Sequence, residues 1–265
     1  MSLRTSPWPA GVPCWADLSV LDVPAATAFY SAVLGWSFTE PDEEFGGYVL
    51  GFVKGAAAAG IGPQQQPGAS AAWTLYMASD DADATARSVK DAGGRLLLEP
   101  GDVGPLGRMF LAADPTGAAF GVWQARSHIG AGVANEAGGL CWEDLRSADP
   151  DAARAFYSTV FGYTYEGLEA AGPDYALFFS RRREAPLGGM GGLTRAPAGT
   201  PSHWVVYFGV DDVPAAVQRA GEAGGTVLAP PFETPYGHMA AVTDPAGAVF
   251  WISDPGATEQ PDRSG

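Results

Sequence analysis

Cys14-Trp15-Ala16-Asp17-Leu18, followed from Asp22 to Gly35 by DVPAATAFYSAVLG, decides the fold because the chain writes it twice. It returns as Cys141-Trp142-Glu143-Asp144-Leu145, followed from Asp149 to Gly162 by DPDAARAFYSTVFG. The offset is 141 − 14 = 127, and 13 of the 27 positions aligned from Cys14 and Cys141 are identical. A self-match at so long a period marks a duplicated domain and not a solenoid of short repeats. Each copy also predicts its own local structure. An alternating strand leads into an aspartate N-cap, apolar residues recur at helical spacing (Ala25, Ala28, Phe29, Ala32, Val33), and Gly35 closes the helix.

Reading outward from this stretch, WSFTE (36–40), GYVLGFVKG (47–55) and AAAAGIGP (56–63) read as strands, and QQQPGAS (64–70) as a polar connection. Trp73 to Ala78 forms a further strand, Asp80-Asp81 caps a second helix, and Gly93-Gly94 ends it. RLLLEP, GRMFLAAD and AAFGVWQ supply the last strands, with Asp114-Pro115-Thr116-Gly117 turning between the final two. The second copy repeats this plan: Trp204, Tyr207, Asp211 and Asp212 match Trp73, Tyr76, Asp80 and Asp81 at an offset of 131, and Asp244-Pro245-Ala246-Gly247 matches Asp114 to Gly117 at 130. The expectation is an α+β protein in which each half is a β-α-β-β-β unit written twice. The halves are placed at 9–125 and 140–256, with a glycine-rich linker at 126–139 and a frayed tail at 257–265.

Composition narrows the function classes. The chain has 265 residues, enough for two real cores, and 46% of them are hydrophobic. A net charge of −15 repels phosphate backbones and anionic lipid, so no nucleic-acid or electrostatic membrane partner is expected. No run approaches the roughly 20 apolar residues that span a bilayer, and MSLRTSPWPAG has no apolar signal core. A cytoplasmic protein is expected. Cys14 and Cys141, at equivalent positions, read as buried thiols and not as a disulfide or zinc framework.

The FYS-x-V-x-G helices (Phe29 to Gly35, Phe156 to Gly162), the aspartate pairs that start the second helix of each half, and the D-P-x-G hairpins together resemble the vicinal oxygen chelate superfamily. That superfamily includes glyoxalase I, extradiol dioxygenases and bleomycin-resistance proteins. The resemblance covers nearly the whole chain outside its ends and linker. It implies that each half curls eight strands into a cup, and that metal-dependent members aim His, Gln or Glu ligands into it. Position by position, those ligand sites fall here on Trp15, Thr74 and Gly121 in the first half, and on Trp142, Val205 and Trp251 in the second. The usual metal triad is therefore not expected in either cup, and no cofactor is predicted.

Strand alternation puts Trp15, Asp17, Thr74, Tyr76 and Trp123 on the inward face of one cup, and Trp142, Asp144, His203, Val205, Tyr207 and Trp251 on that of the other. Such a lining suits a small hydrophobic or aromatic ligand. Each tryptophan is equally readable as a core plug, and each aspartate as a structural hydrogen-bonding group. His203 is the strongest candidate for acid–base chemistry. His238, which replaces Arg108 of the first half, reads as a rim contact, and His128, in the linker, as solvated. Three readings remain open: a metal-free binding protein; a superfamily enzyme, either a lyase of α-ketoaldehyde adducts or an oxygenase using a divalent metal; and a structural protein with filled cups. The chain is expected as a monomer that mimics a dimer internally, or as a homodimer.

Overall fold

Four aspartates start the four α-helices of the computed structural model, which describes residues 3–255 apart from 65–67, 69 and 195. Asp22, Asp81, Asp149 and Asp212 each accept the backbone N–H three residues on, at 2.9–3.0 Å, satisfying a donor that no helical carbonyl can reach. The chain runs β1 (Pro13–Val20), α1 (Val23–Leu34), β2 (Ser37–Phe38), β3 (Val49–Val53), β4 (Ala56–Pro63), β5 (Ala72–Ala78), α2 (Ala82–Asp91), β6 (Arg95–Val103), β7 (Gly107–Ala113) and β8 (Ala119–Ala125). It repeats as β9 (Leu140–Ser147), α3 (Pro150–Phe161), β10 (Thr164–Gly167), β11 (Ala176–Phe179), β12 (Pro186–Gly192), β13 (His203–Gly209), α4 (Val213–Glu222), β14 (Thr226–Thr234), β15 (Gly237–Thr243) and β16 (Val249–Ser253). Gly35 and Gly162 close α1 and α3 in the left-handed region, at φ 71° and 72°, where a Cβ is costly. The expected tail at 257–265 and part of the 64–70 connection lie outside the described residues.

Each half is one eight-stranded mixed sheet. The orders are β2-β3-β4-β1-β5-β8-β7-β6 and β10-β11-β12-β9-β13-β16-β15-β14, so the two sheets share one topology. The paired first strands, β1 against β5 and β9 against β13, hold the middle of each sheet. Their ladders slip by one residue at Cys14 and at Cys141, a bulge that re-aims the following tryptophan. Both cysteines are buried, and neither is in a disulfide.

The halves are not two independent cores. A single apolar cluster runs through both, because each first helix packs on its own sheet and at the same time against the second helix and an aromatic of the other half. Phe29 and Tyr30 of α1 pack on Phe250 of β16, while Phe156 and Tyr157 of α3 pack on Phe120 of β8. Polar contacts follow the same exchange. Trp73 Nε1 donates to the Tyr30 hydroxyl at 3.1 Å, and that hydroxyl donates to Asp244 at 3.2 Å; Trp204 Nε1 likewise reaches Tyr157 at 2.8 Å, beside Asp114. Arg219 of α4 donates to the carbonyls of Ala32 and Val33, capping the end of α1 from across the seam.

Residues 126–139 are built into this seam. Ala131 and Val133 are 1% exposed, Ala131 and Gly132 donate to the Cys14 and Ala57 carbonyls, and Gly138 donates to the Gly209 carbonyl while Gly209 donates to that of Gly139. No helix among the described residues is long and apolar enough to cross a membrane.

Candidate functional site

The cup face of each sheet is the one turned away from its helices, since Tyr30 and Tyr157 meet Trp73 and Trp204 on the other face, and strand pairing fixes what it presents. In β1 and β5, Trp15 stands opposite Tyr76, Asp17 opposite Thr74 and Ser19 opposite Ala72. In β9 and β13, Trp142 stands opposite Tyr207, Asp144 opposite Val205 and Arg146 opposite His203. Tyr207 then neighbours Trp251 of β16, and Tyr76 neighbours Gly121 of β8.

Each cup contains a tyrosine that sequence reasoning missed. Tyr48, preceding β3, and Tyr175, preceding β11, reach across β4 and β12 to the central aspartate. Room for them comes from glycine: a side chain at Gly60 would strike the Tyr48 hydroxyl, and one at Gly189 the Tyr175 hydroxyl and Asp144. A signal for both was present, because 175 − 48 = 127, the repeat offset, and glycines alternate along the strand beside them.

In the second cup Asp144 is 2% exposed and saturated. Its Oδ1 accepts from Trp142 Nε1 (3.0 Å) and the Tyr175 hydroxyl (2.7 Å); its Oδ2 accepts from Arg146 Nη2 (2.6 Å) and the Tyr207 hydroxyl (2.8 Å). Burial disfavours the Arg146 charge, but the Asp144 carboxylate more than offsets it, so the guanidinium stays protonated. The guanidinium also lies over the Tyr175 ring at 5.3 Å. Burial first, and the Asp144 charge second, hold Tyr207 far above the usual phenol range, so it acts as a neutral donor.

The first cup has the same tryptophan, aspartate and two tyrosines but no cation, since Ser19 stands where Arg146 does. Trp15 Nε1 turns to the Tyr48 hydroxyl instead (3.1 Å). Asp17 is half-buried, and burial pushes its carboxyl up to about 7, a hydrogen bond from Tyr76 opposing the rise. One end of this cup is closed by His128, which corrects its reading as solvated. The imidazole packs edge-on against Trp15 (4.6 Å) and Trp123 (5.5 Å), Trp123 Nε1 donates to its carbonyl (2.9 Å), and burial lowers its pKa to about 4.

His203 is half-buried at the start of β13, with Nδ1 2.8 Å from the Pro201 carbonyl oxygen. His238 is placed differently from its expected rim contact. Ala241 pairs with Trp251 and Ala240 with Ile252, so by alternation the buried Ala240 and the exposed His238 share the helix side of β15, not the cup side. Arg108, its counterpart, is likewise turned outward to Asp83 and Asp102. A cavity of about 230 Å³ lies where the N-terminal arm and the 126–139 segment meet β5 and β8, lined by Trp8, Cys14, Asp80 and Trp123 among others.

The metal-ligand positions expected for the fold hold Trp15, Thr74 and Gly121 on β1, β5 and β8, and Trp142, Val205 and Trp251 on β9, β13 and β16. Indole, isopropyl and hydrogen offer a divalent cation no lone pair, and the single neutral hydroxyl of Thr74 cannot replace a triad of imidazole and carboxylate ligands. Among the described residues no three His, Cys, Asp or Glu side chains stand close enough to share an ion. The donor set does not fit the group that the fold carries elsewhere.

A family model described as "Glyoxalase/Bleomycin resistance protein/Dioxygenase superfamily" matches residues 15–122 and again 139–252. A Mycobacterium bovis protein named "Putative glyoxylase CFP32" is 40% identical over 261 residues, 95% of this chain and 98% of its own length. The anthracycline biosynthesis protein DnrV of Streptomyces peucetius is 37% identical over 257 residues, 91% of this chain and 92% of its own. Among solved structures, a Mn(II)-bound glyoxalase from Novosphingobium aromaticivorans superposes with a TM-score of 0.69 at 19% identity, covering 96% of this chain and 84% of that one. The 2,3-dioxygenase LapB from Pseudomonas sp. KL28 gives 0.62 at 16%, covering 92% and 93%. With both sheets in one shared topology and a family match across each half, the chain belongs to the glyoxalase/bleomycin resistance protein/dioxygenase superfamily.

Proposed function

We propose that this protein binds a small hydrophobic or aromatic molecule in an aromatic-lined cup, without a metal ion. The observation that carries the reading is the pair of triads Trp15–Thr74–Gly121 and Trp142–Val205–Trp251: where a chelating cup needs imidazole or carboxylate ligands, these present three indoles, two groups without a lone pair and one neutral hydroxyl. The Streptomyces relative supports the ligand class, since its name refers to anthracyclines, which are planar polycyclic aromatics. Two cysteines outside any disulfide support a reducing, cytoplasmic setting, and the core shared by both halves supports a monomer.

Elemental analysis of untagged protein tests the first part: less than a tenth of an equivalent of manganese, iron, nickel or zinc is expected, and a full equivalent overturns it. Tryptophan fluorescence tests the second. A planar bicyclic or tricyclic probe should quench it saturably, and Trp142→Ala should remove the response.

A second reading, a superfamily enzyme, is favoured by Asp17. A carboxyl pushed up to about 7 beside a protonated tyrosine can give and take a proton near neutrality. Turnover of an α-ketoaldehyde adduct that is lost in Asp17→Asn would move the assignment to that class.

A further inference from the structure

We infer that the second cup is the working site and that it selects a planar aromatic carrying an acidic oxygen, a carboxylate or phenolate, through Arg146 with His203 beside it. The inference rests on the cup being an aromatic binding site, and it adds which cup and which ligand chemistry.

The first observation is where the aromatic walls belong. Trp15, Tyr76 and Trp123 of the first cup are part of the main core and are 4%, 5% and 8% exposed. The corresponding wall of the second cup is a separate apolar cluster: Cys141, Val205 and Tyr207, with half-buried Trp142 and Trp251 packed against it. Phe232, 40% exposed, meets Trp251 edge-on at 6.1 Å, and Trp251 stacks on Tyr207 at 5.4 Å. Large rings that serve no shared core and remain partly open to solvent form a stacking surface.

The second observation is what stands at the end of that surface. The register that puts Ser19 opposite Ala72 in the first cup puts Arg146 opposite His203 in the second, so this pair belongs only to the cup whose walls are open. Arg146 is not used up by Asp144. Neutral donors from Trp142, Tyr175 and Tyr207 share that carboxylate, and of the five guanidinium N–H groups one goes to Asp144 and a further contact to Tyr207, with the side chain 34% exposed. Asp144 and the Tyr175 ring hold the guanidinium in place, which lowers the entropy cost of gripping an anion. A carbonyl only accepts, so His203 Nδ1 carries its proton toward Pro201 and Nε2 is left to accept a ligand hydroxyl.

The probes are 3-hydroxy-2-naphthoate and its neutral isostere 3-hydroxy-2-naphthamide, titrated calorimetrically at pH 7.5. The naphthoate should bind at least about tenfold more tightly than the amide, as expected for a charge-assisted contact. Arg146→Ser, the residue of the first copy, should erase that preference, bringing the two probes to within about twofold of each other. Equal affinity of the two probes in the wild type, or a preference that survives Arg146→Ser, overturns the inference while leaving an aromatic cup intact. Failure of both probes removes the aromatic cup and the inference with it. If Arg146→Ser does not fold, Arg146→Lys keeps the ion pair with a shorter point charge, and an undiminished preference there also overturns the assignment.

Discussion

The two cups start from the same four side chains and diverge in what surrounds them, above all where Ser19 of the first stands in place of Arg146 of the second. In the second, Arg146 completes the environment of Asp144, so that four donors surround a carboxylate with almost no exposure. In the first, Ser19 leaves Asp17 half-buried with its proton equilibrium moved to about 7, and His128 fills the space between Trp15 and Trp123. Duplication provides an internal control here. A tryptophan–aspartate–tyrosine–tyrosine cluster that persists in both halves is explained by structure, because it ties β1 to β3 and β9 to β11 across the glycine strands. What differs between the halves is where ligand chemistry should be sought.

The largest effect that would break this comparison is at Asp144. Asp144→Ala leaves Arg146 partly buried beside three unmatched donors, and chemical denaturation should show a loss of about 3–5 kcal/mol. Asp17→Ala, with no cation to strand, should cost about 1–2 kcal/mol or less. Equal losses would mean the two carboxylates serve one role. Next come the glycines. Gly60→Ala and Gly189→Ala both drive a methyl into a tyrosine hydroxyl and should each cost about 1–3 kcal/mol. Tyr48→Phe should relieve the first and Tyr175→Phe the second, a rescue measurable as a double-mutant cycle. Absence of rescue would show that the glycines answer to something other than the tyrosines.

Much of the architecture was legible because it was written twice. Helix caps, the glycine closures and the D-P-x-G hairpins are local signals, and the second copy checked each one. Strand alternation also located the cup faces, since a period of two is a local property. The rest depended on contacts between residues far apart in the chain. Asp244 and Asp114 read as turn residues, yet each lies against a tyrosine of the other half's first helix. His128 read as a solvated linker residue because nothing local says that the segment will be folded back over Trp15. His238 read as a rim contact because substitution of one cation for another was seen without the strand face on which it falls. Tyr48 and Tyr175 were recoverable from the repeat offset, but only by asking what the alternating glycines make room for.

The smallest effect is also the most diagnostic of the first cup, because its two titrating groups pull in opposite directions. Asp17 has a folded pKa near 7, above the usual carboxylate value, so the folded state holds the proton more tightly than the unfolded chain. Its contribution to stability is complete below about pH 4 and is lost as pH rises toward 7. His128 has a folded pKa near 4, below the usual imidazole value, so its contribution is present above about 6.5 and lost as pH falls toward 4. Partial exposure of both side chains limits each term to about 1–2 kcal/mol. Asp17→Asn should therefore raise stability at pH 8 relative to the wild type and flatten the fall between pH 4 and 7, while His128→Phe should remove the loss on acidification. Thermal melts of the wild type and both variants from pH 4 to 8 read this directly. If Asp17→Asn leaves the pH profile unchanged, the carboxylate is already compensated as Asp144 is, and the contrast between the cups reduces to the closure by His128.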